Sequence, residues 1–270
     1  MQPPPHQIRT TTNPVLKTRL IAVLFLMDGK IVQSRGFNEH RIIGDPLHEL
    51  TRFSEWGVDE LVYIDISRKP DFAQTLSILN EIGERAFMPL TFGGNVTKPE
   101  QFRDLLATGA DKVIVNSAVY EDPLMVVGPA IKHGSQAVVV GIDYRVIEGN
   151  PVVYTNQGTV ARGLSPSEYA KKVEQLGCGE IFLNSIDKDG TGKGYDLDVI
   201  TSVAKAVRCP VVACGGVGKA GHFIDGINAG ASAVAAGNYF HFTENAYPKT
   251  KTELIKAGIP MRPKEDVPIR

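Results

Sequence analysis

Eight short runs of apolar, often β-branched residues recur along the chain, at 20–26, 60–66, 88–92, 112–116, 137–143, 180–185, 211–214 and 233–236. Most are nearly continuous rather than alternating, which is how a parallel strand reads when both of its faces are covered. Between them lie amphipathic stretches, at 46–56, 72–85, 98–108, 123–133, 166–176, 197–207 and 221–229. Their apolar residues return every three or four positions, the period of a helix with one buried face. Asp45, Ser165 and Asp196 stand where N-caps belong, the first two directly before a proline. Gly57, Gly109, Gly134, Gly177 and Gly230 stand where helices stop. Eight β/α units in about 250 residues predict an α/β fold, the (β/α)8 barrel of TIM type. An open doubly wound sheet would want a glycine-rich turn straight after the first strand. Met27-Asp28-Gly29-Lys30 is a poor match to that.

The two halves of the chain also resemble each other. Phe92-Gly93-Gly94-Asn95-Val96 recurs as Cys214-Gly215-Gly216-Val217-Gly218, 122 residues later. Gly109-Ala110-Asp111 recurs as Gly230-Ala231-Ser232, and Asp65, closing its apolar run, recurs as Asp187. A repeat of this length implies two half-barrels of four units each, an internal two-fold. The first strand of each half should then correspond, and Phe25 falls opposite Asp143. The barrel is expected over residues 15–262. Residues 1–14, rich in proline and threonine, are expected to be a disordered extension, and 263–270 a tail.

Composition narrows the function classes. Hydrophobic residues make up 43% and charged residues 22%, as in an ordinary soluble globular protein. A formal net charge of −1 provides no global field for nucleic acid or an anionic membrane. The three cysteines, Cys178, Cys209 and Cys214, are odd in number and lack zinc spacing, so a reduced, cytoplasmic protein is expected. The six histidines show no ligand spacing, and neither a metal nor a cofactor is called for.

Barrels of this kind do their chemistry at the C-terminal ends of the strands. Gly93-Gly94 and Gly215-Gly216 fall at the ends of the third and seventh strands. Asn116-Ser117 and Gly237-Asn238 fall at the ends of the fourth and eighth. Small residues let backbone N–H groups approach an anion, and a following helix adds a favourable dipole. Two such places related by the repeat suggest a ligand with a phosphate at each end. Asp143 ends the fifth strand and is the candidate general acid or base. Asp65, Asp187 and Asp189 lie at the ends of the second and sixth strands, where each could meet a ligand or merely cap loop amides. Asp187-Lys188-Asp189-Gly190-Thr191-Gly192 is neither a P-loop nor a complete calcium loop. At the opposite ends of the first, second, fourth and sixth strands stand Arg19, Glu60, Lys112 and Glu180. Four alternating charges there would ring the barrel floor.

Residues 15–262 resemble the cyclase subunit of imidazole glycerol phosphate synthase. The strings that carry the resemblance include Gly44-Asp45-Pro46, Asp59-Glu60-Leu61-Val62-Tyr63-Ile64-Asp65 and Gly109-Ala110-Asp111-Lys112-Val113. Gly134-Ser135-Gln136-Ala137-Val138-Val139-Val140, Asn184-Ser185-Ile186-Asp187-Lys188-Asp189-Gly190-Thr191, Gly194-Tyr195-Asp196 and Phe240-His241-Phe242 complete the set. The resemblance implies a half-symmetric barrel that binds a ribulose-type bisphosphorylated ligand. It also implies a glutaminase docked on the N-terminal face, sending ammonia through the barrel. In that family Arg19, Glu60, Lys112 and Glu180 match the ammonia gate, and Asp111 matches an acid at the docking face. Asp143 matches one of two catalytic aspartates. The other, on the first strand, is Phe25 here, and Asp28 has the wrong strand parity to replace it. Gln33 stands for a loop lysine, Asn95 for the third glycine of the first phosphate turn, and Asn184 for a threonine of the sixth strand.

Three functions follow from that pattern. The first is a barrel subunit that delivers ammonia to a third, synthetase-like partner forming an acetamidino sugar for a surface polysaccharide. Relatives lacking the first-strand aspartate are thought to do this. The second is the ordinary synthase cyclase of histidine biosynthesis, a lyase releasing imidazole glycerol phosphate and an aminoimidazole carboxamide ribotide. The third is a scaffold that only activates the glutaminase.

Overall fold

In the computed structural model, which describes residues 17–262, eight parallel strands close into a barrel with helices packed outside. The barrel strands are Arg19–Met27, Glu60–Asp65, Leu90–Gly93, Lys112–Val115, Val138–Ile147, Glu180–Ser185, Val211–Cys214 and Ala233–Ala236. Each pairs with the next, and the eighth returns to the first through Arg19↔Ala233 and Ala22↔Ala236. Alternate residues explain the unbroken apolar runs. Leu20, Ala22, Leu24 and Leu26 pack outward in the layer under the helices, while Ile21, Val23 and Phe25 point into the barrel. Both terminal segments proposed from sequence, 1–14 and 263–270, lie outside the described residues.

The predicted caps form. The Asp45 carboxylate accepts from the Leu47 amide at the start of Pro46–Trp56, and Ser165 and Glu168 make a capping box on Pro166–Gln175. Asp196 accepts from the Val199 amide at the start of Leu197–Ala206. Gly57 closes the first helix in the left-handed region at φ 64°, its N–H on the carbonyls of Phe53 and Ser54.

Strand register corrects the alignment of the halves. Phe25 lies level with Ile64, and Asp143 with Asn184, so Phe25 and Asp143 do correspond. Leu61 pairs with Leu90, and Ile181 with Val211. Gly94 is therefore the counterpart of Gly215, and Asn95 of Gly216, one residue off the alignment of the glycine pairs. Asp65 is level with Ser185 rather than Asp187. The spacing between halves changes from strand to strand because their loops differ in length, so a single sequence offset slips.

Several elements went unpredicted. Lys30–Arg35 and Glu39–Gly44 form an antiparallel hairpin on the end of the first strand, and Asn150–Thr155 folds back on the fifth. Both begin with a two-residue turn in the left-handed region, Asp28-Gly29 at φ 48° and 77° and Glu148-Gly149 at φ 49° and 80°. That is the hairpin turn whose Asp-Gly signature is strongest in sequence. Short helices Ser117–Glu121 and Asn238–Phe242 follow the fourth and eighth strands, and Ala246–Lys256 packs on the outside of the barrel against Ala220–Asn228 and Asn238–Phe242.

This last helix is fastened by a buried ion pair. Lys251 Nζ lies 2.6 Å from Asp59 Oδ1, and the other carboxylate oxygen accepts from the Leu20 amide at 3.1 Å. The Tyr247 hydroxyl accepts from the Asp59 amide and donates to the Leu20 carbonyl. Removing one partner of a buried pair leaves the other charge stranded. Asp59→Ala should therefore lower stability by about 3–5 kcal/mol in denaturant unfolding; a loss under about 1 kcal/mol would place the pair among weak surface bridges.

Candidate functional site at the strand ends

Two cavities open at the C-terminal end of the barrel, one of about 250 Å³ and one of about 410 Å³, and among the described residues Phe25 alone lines both. The smaller is lined by Gly215, Gly216, Gly237 and Asn238, with Asp189, Gly190 and Thr191 on its edge. The larger is lined by Gly94, Asn95, Asn116, Ser117, Asp65 and Asp143. The smaller is lined mainly by the second half of the chain, whereas the larger draws on both halves, with Asp143, Phe182 and Asn184 coming from the second. Gly93 lines neither; a side chain there would meet Ile114 Cβ at 2.7 Å, so its smallness serves packing. Gly94, at φ 89°, has no room either, since an added carbon would lie 2.0 Å from the Asp65 carbonyl oxygen.

The helices Ser117–Glu121 and Asn238–Phe242 start at Asn116 and Gly237, and neither start is capped by a side chain. Helix starts without side-chain caps leave amides open to an anion. Neighbouring turns in the left-handed region, Asn95 at φ 55° and Gly216 at φ 103°, stand at matching places in the two compartments. Asn95 adopts that backbone without being glycine, and its side chain donates to the carbonyls of Asp65 and Ser67.

Asp143 points into the larger compartment. Asn116 donates to Asp143 Oδ2 at 2.7 Å, and Asn184 bonds the same carboxyl. Burial pushes its pKa up to about 7, against the pull of those two amides. The group is therefore poised to exchange a proton near neutrality. On the mirrored strand Phe25 fills the corresponding place, only 7% exposed, with Gly237 at its ring edge. Asp28 lies in the hairpin turn and lines neither compartment; its amide is held by Ser67 Oγ at 2.9 Å. Gln33 lines the smaller compartment.

The other aspartates have structural partners. Asp65 accepts from the Ser67 amide and the Thr75 hydroxyl, tying down the loop and helix that follow. Asp187 lines neither compartment; it pairs with Arg145 at 3.0 Å and accepts from the Val146 amide. Asp189 accepts from Ser34 Oγ at 2.7 Å and from the Phe37 amide, and its own carbonyl accepts from Gly36. Burial raises its pKa. Asn238 donates to the Ser34 carbonyl at 2.7 Å. Together these bonds lay the first hairpin across the mouth of the barrel. Sequence reasoning missed Ser34, Phe37, His40, Arg68, Asn156 and Gln157, which also line the larger compartment. The alternation in Lys30–Arg35 and the Asp28-Gly29 turn were the signals for the hairpin part of this set.

At the other end, the four predicted charges do form a closed ring. Arg19 bridges Glu60 and Glu180; Lys112 Nζ lies 3.3 Å from Glu60 and 2.6 Å from Glu180. Thr91 donates to Glu60 at 2.7 Å. Burial opposes ionisation of Glu60, but Arg19 and Lys112 outweigh it and hold the carboxyl below its ordinary range. Between this floor and Asp143 the interior is lined by apolar residues such as Ile21, Val62, Val139 and Phe182. A cavity of about 370 Å³ opens beneath the ring, bordered by Arg19, Glu60 and Lys112. Asp111 lies on the same face and accepts from the Leu90 amide at 2.8 Å.

Among the described residues no cluster of His, Cys, Asp and Glu could hold a metal, and no helix is long and apolar enough to cross a membrane. Comparison with known proteins matches residues 19–246 to the family described as "Histidine biosynthesis protein". The chain is 40% identical over 250 residues to the imidazole glycerol phosphate synthase subunit HisF of Gluconacetobacter diazotrophicus, covering 92% of this chain and 97% of that one.

The raised pKa of Asp143 has a sign that stability can report. In the folded chain it titrates near 7, above the 3.8 of a free side chain. Folding therefore favours the protonated form. Asp143 does no harm below pH 4 and costs stability progressively as pH rises through about 7. Asp143→Asn should be more stable than the wild type above pH 7 by about 2–4 kcal/mol. A difference that does not change between pH 4 and 8 would show that the carboxyl titrates normally.

Proposed function

The chain belongs to the histidine biosynthesis protein family, within it to the HisF-like barrel subunits, and from that premise we propose that it is the ammonia-using barrel subunit of an imidazole glycerol phosphate synthase. In this reading a ribulose-type bisphosphorylated ligand spans the barrel mouth. One phosphate binds near Gly94, Asn95, Asn116 and Ser117. The other binds near Gly190, Thr191, Gly215, Gly216, Gly237 and Asn238. A glutaminase docks on the opposite face, near Asp111, and ammonia passes the ring of Arg19, Glu60, Lys112 and Glu180. The observation that carries the reading is the pairing of two glycine-lined compartments with one near-neutral acid, Asp143, between them and the charged floor.

Asp143 protonates or deprotonates the reacting ligand, with Asn116 and Asn184 fixing its orientation. The ring closure and the bond cleavage of a cyclase both need proton transfers. Phe25 supplies none, so water and Asp143 carry them all. That burden favours a second reading, in which ammonia reaches the barrel mouth and is passed to a partner that builds an acetamidino sugar. The near-full-length likeness to a synthase subunit supports the first reading more than the second.

Turnover of the histidine-pathway bisphosphate with saturating ammonium salt separates the two. Supplying ammonia directly removes the need for the glutaminase. The synthase reading expects turnover on the order of 1 per second, lowered about 10²–10⁴-fold by Asp143→Asn. No turnover from folded protein, with activity gained in Phe25→Asp, would favour the amidino-sugar branch. With the glutaminase present, Lys112→Ala should let glutamine hydrolysis run ahead of product formation; unchanged coupling would remove the floor from the ammonia route.

A further inference from the structure

Away from the cavities, the fold brings two nucleophilic side chains together. Cys178 stands two residues before the sixth barrel strand, and Cys209 two residues before the seventh. These strands are parallel neighbours in register from Ile181↔Val211, and the pairing extends below them through the Ile181 amide to the Pro210 carbonyl at 2.9 Å. Both approaches are tied to the helix Pro166–Gln175. The Cys178 amide donates to the Val173 carbonyl at 3.1 Å, and the Cys209 amide to Glu174 Oε1 at 2.7 Å. Extending that register sets Cys209 level with Gly179, so Cys178 and Cys209 are diagonal neighbours one level apart. With strands about 4.8 Å apart, such a diagonal falls within the roughly 4.4–6.8 Å between α-carbons that a disulfide spans.

The thiols meet in the apolar layer between strands and helices, Cys178 buried and Cys209 half-buried. The Cys178 thiol donates to the Glu180 carbonyl at 2.9 Å, and the Cys209 thiol lies close enough to act on the Cys178 sulfur. The neighbouring thiol lowers the pKa of Cys178 and raises that of Cys209. Thiolate character therefore concentrates on Cys178, and Cys209 is the more exposed of the two.

We propose that Cys178 and Cys209 are a redox modification site, closing to a reversible intrachain disulfide on reaction with hydrogen peroxide. The Cys178 thiolate attacks one peroxide oxygen, the O–O bond breaks, and hydroxide leaves a sulfenic acid. The Cys209 sulfur then attacks that sulfur, releasing water and forming the S–S bond. Overall two thiols and one peroxide give a disulfide and two waters. The bond consumes the hydrogen that Cys178 gives to the Glu180 carbonyl, directly behind the floor ring. The inference stands whichever ligand the cavities take.

The test is mass analysis of the full chain after peroxide, with free thiols alkylated and peptides mapped without reduction. The expected result is the loss of two hydrogens, a Cys178–Cys209 linked peptide, and recovery of both thiols with dithiothreitol. Cys209→Ser should accumulate a dimedone-reactive sulfenic acid at Cys178. Cys214, in the cavity, is the internal reference. The proposal is overturned if both cysteines stay fully alkylatable in the wild type, or if Cys178 goes to sulfinic acid without a cross-link. Both outcomes are read on the unaltered chain, so misfolding of a variant cannot mask them.

Discussion

The hydrogen-bonded closure between the eighth strand and the first governs the rest of this molecule. Once Arg19 is paired with Ala233 and Ile21 with Ala235, the parity of every barrel strand is set. One set of side chains must then fill the interior and the other must meet the helices. A slip of one residue would turn Phe25 outward and bring Leu24 into the site. The same closure lifts Asp143 to the level of Phe25 and sinks Arg19, Glu60, Lys112 and Glu180 to a common floor. Chemistry at the top and charge at the bottom are thus products of one register.

Burial does opposite things at the two ends. At the floor, four charges of alternating sign satisfy one another, so Glu60 remains ionised despite the loss of water. At the mouth, the Asp143 carboxyl is bonded by two side-chain amides, and these do not offset desolvation. The result is a fixed salt network below and an acid of raised pKa above. An apolar interior separates them and keeps each from altering the other.

Most of the barrel was legible in the sequence, because strand and helix periods and cap residues are local signals. Asp45, Ser165 and Asp196 each perform the capping that their position announced. The floor ring was legible because four charges fell at strand starts. The hairpins were not read, because their residues resemble an ordinary polar loop until the Asp-Gly and Glu-Gly turns are given weight. The roles of Asp187 and Asp189 were hidden for a related reason. Their partners, Arg145 and Ser34, lie on those same hairpins, and only the folded chain brings them together. The shift of Gly94 onto Gly215 shows a different limit: sequence spacing counts residues, whereas strand pairing counts levels.

Phe25 is more than a missing carboxylate. It is the wall shared by two compartments of about 250 and 410 Å³. A ligand occupying one side meets an aromatic face and ends there, whereas one reaching both sides must bend around the ring. The width of position 25 therefore sets the longest rigid molecule that the barrel mouth accepts, before any acid or base comes into play.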